Sequence, residues 1–153
     1  MPLQKLRNFL DENEIKYLLI VHSPAYTAQE IAASAHVPGK QLAKTVILKL
    51  DGEMAMCVMP AHLKIDFEKC KDQMNAKTVE LASEEEFKYA FPGSEIGAMP
   101  PFGNLFDMPV YVCKDLAQND EIIFNAGSHR ELIKLNYRDF ERLVKPKVVE
   151  IQA

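Results

Sequence analysis

The chain carries no apolar run approaching the length of a membrane-spanning helix, and its first residues, Met1-Pro2-Leu3-Gln4-Lys5, lack the apolar core of a secretory signal. The expectation is a cytoplasmic protein without a membrane partner. Cysteine is scarce: Cys57, Cys70 and Cys113 are odd in number and widely spaced, with no C-x-x-C pair and no Cys/His ligand spacing. This argues for reduced packing residues and against a disulfide framework or a zinc site. Positive charge is also in deficit. A net charge of −4 argues against the broad basic face that holds long duplexes by their phosphates, and leaves only a local patch around Lys40, Lys44 and Lys49. That patch reads equally as the solvated edge of a strand. No GxSxG elbow, P-loop, GxGxxG or HExxH occurs, so no motif calls for a familiar nucleophile, a metal or a cofactor.

What is present fits one folded domain over residues 1–153, with 48% apolar and 26% charged residues. Leu3, Leu6, Phe9 and Leu10 recur at helical spacing behind Pro2 and predict a helix over 3–13. Tyr17 to Val21 reads as a strand, and Thr27 with Glu30 as a capping box for a helix to Ala35. Two strands, 45–50 and 54–59, flank Asp51-Gly52, the strongest hairpin signal in the chain. Further helices are expected over 66–74, from Ser83 to about Phe91 behind a second capping box, and over 137–144 with Asn136 as cap. Strands are expected at 78–81, 110–113, 121–124, 131–135 and 147–151, with residues 125–129 as a turn. Helices and strands are mixed without βαβ alternation. The fold class is therefore α/β in composition: a mixed, largely antiparallel, curled sheet surrounded by helices.

Three places could carry chemistry. Lys44 shares its parity with Val46, Leu48 and Leu50 and so lies on the apolar face at the mouth of a strand. An ammonium there either snorkels to solvent or points into a polar cavity. The run Gly97-Ala98-Met99-Pro100-Pro101-Phe102-Gly103 lies in a loop, 92–109, with four prolines and three glycines. It is either a rigid corner or a shaped wall whose amides act as donors. Asn125-Ala126-Gly127-Ser128-His129 is a small-residue turn ending in an imidazole, and His22 ends another strand; either histidine reads also as a surface or satisfied core group.

In this order the three places resemble the YbaK/ProX family, whose domains also form the editing insertion of bacterial prolyl-tRNA synthetases. Ala43-Lys44-Thr45-Val46-Ile47-Leu48 resembles the family's KT-hydrophobic strand. Gly97 to Gly103 resembles its GxxxP loop with the following PFG, and Gly127-Ser128-His129 falls where the family has a pocket wall. The resemblance implies a YbaK-like fold and trans-editing, the hydrolysis of the ester that joins a wrong amino acid to the 3′ end of a tRNA. It implies Lys44 as the catalytic anchor, and His22, Gly97, Ala98, Met99, Pro101, Phe102, Gly127, Ser128 and His129 as substrate-binding residues. Water or a ribose hydroxyl would be the nucleophile, with neither metal nor cofactor. The partners implied are the 3′ acceptor end of a mischarged tRNA and an aminoacyl-tRNA synthetase, with the chain acting as monomer or homodimer. The sequence departs from the family at Lys40, where alanine-directed members carry asparagine, and near Leu132, where a YbaK-like aspartate is absent. Two other readings use the same pocket: a module that binds aminoacyl-tRNA without cleaving it, and a Schiff-base lysine acting on a carbonyl metabolite.

Overall fold

The computed structural model describes residues 3–23, 28–35 and 39–153. Helix α1 (Gln4–Glu12) buries Leu6 and Leu10, one turn apart on a single face. Strand β1 (Tyr17–Val21) follows, then helix α2 (Ala28–Ala35). The capping box at Thr27 lies outside the described residues, as do Pro24, Pro38 and His36. Strands β2 (Ala43–Leu50) and β3 (Glu53–Pro60) pair in antiparallel register from Ala43↔Pro60 to Leu50↔Glu53. Their connection, Asp51-Gly52, has φ of 51° and 87°, the two positive angles that match the twist of a tight hairpin. The Asp51 carboxylate also accepts from the amides of Thr78 and Lys77 at 2.9 and 3.0 Å. These bonds, the Thr78 amide foremost, hold its pKa below the ordinary carboxylate value.

Helix α3 (Phe67–Gln73) starts at Asp66, whose carboxylate caps the Glu68 and Lys69 amides. Strand β4 (Val79–Leu81), helix α4 (Glu84–Phe87), strand β5 (Val110–Cys113), helix α5 (Lys114–Ala117), strands β6 (Glu121–Ser128) and β7 (Glu131–Asn136), helix α6 (Tyr137–Val144) and strand β8 (Lys147–Val149) complete the order. The sheet expected as one is two. A five-stranded sheet runs β4-β2-β3-β5-β8 and a three-stranded sheet β1-β7-β6. All pairings are antiparallel except β3·β5 and β5·β8, so the mixed, largely antiparallel class holds. A parallel bridge between Leu42 and Ile123 joins the sheets at one corner.

The main core lies where the sheets meet. It gathers Ile47, Met56 and Val112 from the larger sheet, Phe124 and Ile133 from the smaller, Leu6 and Leu10 from α1 and Phe140 from α6. Phe102 is at its centre, with ring centroids 6.1, 5.5 and 5.5 Å from Phe9, Phe124 and Phe140. A second cluster fills the other face of the larger sheet, where Leu48, Cys57 and Met59 meet Cys70 of α3 and Cys113. Sheltered on both faces, β3 loses its alternation and reads as a continuous apolar run. The three cysteines are free and buried, and burial raises the Cys70 thiol to about 11, which leaves it inert as a nucleophile.

The helix expected to reach Phe91 ends at Phe87. Its capping box is present, with Glu86 N to Ser83 Oγ at 3.2 Å and Ser83 N to Glu86 Oε1 at 2.9 Å. Beyond Phe87 the chain tightens to an i→i+3 bond, Ala90 N to Phe87 O, and this places Phe91 against Phe106 at 4.8 Å. Replacing Ser83 by alanine is expected to lower the unfolding free energy by about 1 kcal/mol in urea titration, the usual cost of a lost cap. Asn136 sits at the N-cap of α6 but makes no side-chain cap bond. Residues 125–128 belong to β6 rather than to a turn, because the strand continues through a bulge between Asn125 and Ser128.

Candidate functional site

Lys44 is the second residue of β2 and its side chain lies on the same face as Val46 and Leu48, as the period of two requires. The chain leaving β3 crosses that face. Leu63, shortly after the strand, offers its carbonyl to Lys44 Nζ at 2.6 Å. One of the three ammonium donors is thereby used to fix the side chain. Burial lowers the Lys44 pKa below the ordinary lysine value; Cys57 pulls the other way, and the Lys64 charge adds to the lowering.

A pocket of about 130 Å3 opens beside this ammonium, lined by Ile31, Leu42, Ala43, Lys44, Ala61, Gly97 and Asn125. Ile31 comes from α2, and with Leu42, Ile123 and Leu132 it forms a small apolar cluster under the pocket. Gly97 reaches the opposite wall through a tight turn: Ala98 N donates to Glu95 O at 3.0 Å, and Gly97 has φ of 87°, as the third position of a type II turn demands. The Ala98 amide is thus committed to the turn. The Gly97 amide donates to Met99 Sδ at 3.2 Å, a weak acceptor that a ligand oxygen would displace readily.

The turn is held from behind. Glu95 N donates to Gly127 O at 2.8 Å and Gly127 N to Ala98 O at 3.0 Å, so the loop is stitched to the bulge of β6. Gly127 has φ of 100° and a Cβ there would lie 3.1 Å from Leu3 Cβ. His129 Nε2 lies 2.9 Å from Ile96 O and, since a carbonyl only accepts, donates to it. The His129 amide donates to Glu95 Oε2 at 3.3 Å. A Cβ on Gly97 would meet His129 Cε1 at 3.4 Å. Gly97→Ala is therefore expected to cost about 1–2 kcal/mol in denaturant unfolding, mainly from the left-handed backbone.

Of the residues singled out from sequence, the structure brings Lys44 and Gly97 to one pocket. Ala98, Met99, Pro101 and Phe102 are buried behind it, and Phe102 is a core residue rather than a pocket wall because three aromatic rings enclose it. Gly127, Ser128 and His129 support the Glu95–Ala98 turn or end the strand, with Ser128 Oγ accepting from the Arg130 amide at 3.3 Å. His22 is buried at the end of β1, its Nδ1 2.7 Å from Ser23 O. The sequence does not point to Ile31, Leu42 or Ala61, and it offers Asn125 only as the first residue of a candidate turn, not as a substrate-binding residue. For Asn125 the signal existed: read through to Ser128, β6 puts it on the same face as Ile123. A separate depression of about 620 Å3 shares no residue with this pocket, and its lining sets Asp120, Asp139 and Glu141 against Arg138, an excess of negative charge. Those carboxylates would repel a nucleic-acid end.

Lys44, with its ammonium anchored on Leu63 O, and Gly97, with its amide on a weak sulfur acceptor, line one small, partly apolar pocket, and donors of this kind can hold a short acyl group by its carbonyl oxygen. A family model described as aminoacyl-tRNA editing domain matches residues 22–143. The chain belongs to this family, the YbaK/ProX type of editing domain. It is 27% identical over 142 residues to a prolyl-tRNA editing protein, ProX, of Acetoanaerobium sticklandii, covering 89% of this chain and 86% of that one. It is 31% identical over 121 residues to a proline–tRNA ligase of Staphylococcus saprophyticus, covering 76% of this chain and only 20% of the ligase. Among solved structures, one described as a candidate trans-editing enzyme for prolyl-tRNA synthetase superposes with a TM-score of 0.83 at 19% identity, covering 98% of this chain and 96% of that one. Another, described as a hypothetical protein, reaches 0.86 at 19% identity, with 98% and 100% covered. At such identity the structures speak for the fold. Among the described residues no helix is long and apolar enough to cross a membrane.

Proposed function

We propose that this chain is an aminoacyl-tRNA deacylase that cleaves the ester of a mischarged tRNA in trans, with the Lys44 pocket as its site. The observation that carries the reading is the pocket itself: Lys44, its Nζ fixed by Leu63 O, and Gly97 line one small cavity in a chain of the editing family. Lys44 anchors the aminoacyl end while the Gly97 amide, freed from Met99, donates to the carbonyl as its oxygen gains charge. A donor aimed at a developing oxyanion contributes about 2.7–4 kcal/mol, and an ester requires less help than an amide. Within Gly97–Pro101, with Ala98 committed to its turn and no amide hydrogen on either proline, the Gly97 and Met99 amides are the donors for this task. Water or the neighbouring ribose hydroxyl attacks, and no protein nucleophile takes part.

A pocket of about 130 Å3 suits a small amino acid. Synthetase pockets discriminate poorly among such substrates, because one methylene is worth only about 1–3 kcal/mol. A second hydrolytic site then improves fidelity. The names of both curated relatives point to the proline system, so tRNA for proline is the substrate to try first and its synthetase the partner. The test pairs an alanyl ester on that tRNA with its amide-linked analogue. The reading expects the ester to be cleaved and the analogue to inhibit competitively. Binding of both with the ester left intact would make the protein a recognition module instead.

A further inference from the structure

We infer that Asn125 Oδ1 is the acceptor for the α-ammonium group of the bound aminoacyl moiety. The inference rests on the deacylase reading of the Lys44 pocket and adds a residue to it. Asn125 lines that pocket, yet its Oδ1 is buried with no hydrogen-bond partner among the described residues. Its surroundings are apolar: Leu132 is its cross-strand partner, and Leu132 packs with Ile31, Leu42 and Ile123. A buried acceptor left unsatisfied in such a setting is uncommon and calls for a ligand that donates.

The chemistry of the other lining groups narrows what that ligand group is. Lys44 and the Gly97 amide are donors, suited to a carbonyl oxygen and unable to accept from a cation. Among the described side chains lining the pocket, the Asn125 carboxamide alone can accept. An aminoacyl ester carries one acceptor oxygen at the reacting carbon and, one bond away, a cationic amine that must be desolvated with it. The two sides of the pocket match those two needs. A neutral amide also fits better than a carboxylate, which would pair with Lys44 and withdraw the ammonium from the substrate. The amide plane can turn over to present oxygen or nitrogen, and the oxygen is the atom this role requires.

The experiment compares free and blocked amines in wild type, Asn125→Ala and Asn125→Leu, each first shown to melt cooperatively like the wild type. Hydrolysis is followed on alanyl-tRNA and N-acetylalanyl-tRNA, and binding by calorimetry with 3′-alanylamino-3′-deoxyadenosine and its N-acetyl form. In wild type the free amine is expected to be preferred about tenfold or more. Both substitutions should collapse that ratio toward one by weakening only the free-amine compound. A ratio unchanged in both variants, with ester cleavage intact, overturns the inference and leaves the deacylase reading standing. A ratio that collapses in binding while no ester is ever cleaved supports Asn125 and overturns the deacylase. Failure of wild type to bind either adenosine compound overturns both.

Discussion

Replacing Lys44 with alanine is expected to lower kcat/KM for ester cleavage by about 100-fold while leaving the fold intact. The side chain is half-buried at a strand end, and its bond to Leu63 O is made with the chain leaving β3 rather than in the core. Hydrogen bonds from a charged donor contribute about 1.5–3 kcal/mol, which is a factor of about 10 to 160 in rate. Lys44→Met should lose nearly as much, because it keeps the apolar stem and removes only the charge. Lys44→Arg should not recover activity, since a planar guanidinium on a longer reach does not fit beside Leu63 in so small a pocket. The pH profile gives a second handle. The active form is the cation, so activity is present below the Lys44 pKa and lost as pH rises through it. Burial lowers that pKa, so the alkaline limb should fall before free lysine would titrate, once spontaneous ester hydrolysis is subtracted.

Phe102→Ala is expected to cost about 3–5 kcal/mol of stability, measured by urea or thermal unfolding. Phe102 has no exposed surface and joins α1, β6 and α6 through Phe9, Phe124 and Phe140. The cavity left behind cannot collapse easily, because those partners belong to three different elements. Phe102 also directly follows the two prolines of the pocket loop, so the loss should be accompanied by reduced activity even at temperatures where the variant remains folded. A variant with wild-type stability would show that Phe102 is not the centre of the core described here.

Much of this architecture was legible in local signals. The Asp51-Gly52 pair required a tight hairpin, and the register from Ala43↔Pro60 to Leu50↔Glu53 follows from it. Ser83 with Glu86 marked a helix start that the structure keeps. Period-two parity put Lys44 with Val46 and Leu48, which face the α3 side of the sheet. What was not legible depends on distant partners. The length of β6 was underestimated because Asn125, Gly127 and Ser128 are turn-forming residues, and only pairing with β7 holds them extended. Asn125 therefore reads as the start of a turn, and the local pattern does not show that its side chain lines the pocket. Phe102 sits in a loop rich in glycine and proline, where no periodicity reports that a side chain points inward; its burial is decided by three rings remote in sequence. His129 was similarly ambiguous, since its contact with Ile96 O depends on a loop more than thirty residues away. The division of the sheet also escaped the local pattern, for strands were visible individually while the order β4-β2-β3-β5-β8 was not.

Single-turnover release of amino acid from a panel of mischarged tRNAs tests whether the Lys44 pocket cleaves aminoacyl esters. With wild type and Lys44→Ala side by side, release well above the spontaneous rate is expected for at least one small amino acid, with most of that excess lost in the variant. Equal rates from the two proteins, with the variant folded, would contradict cleavage at that pocket.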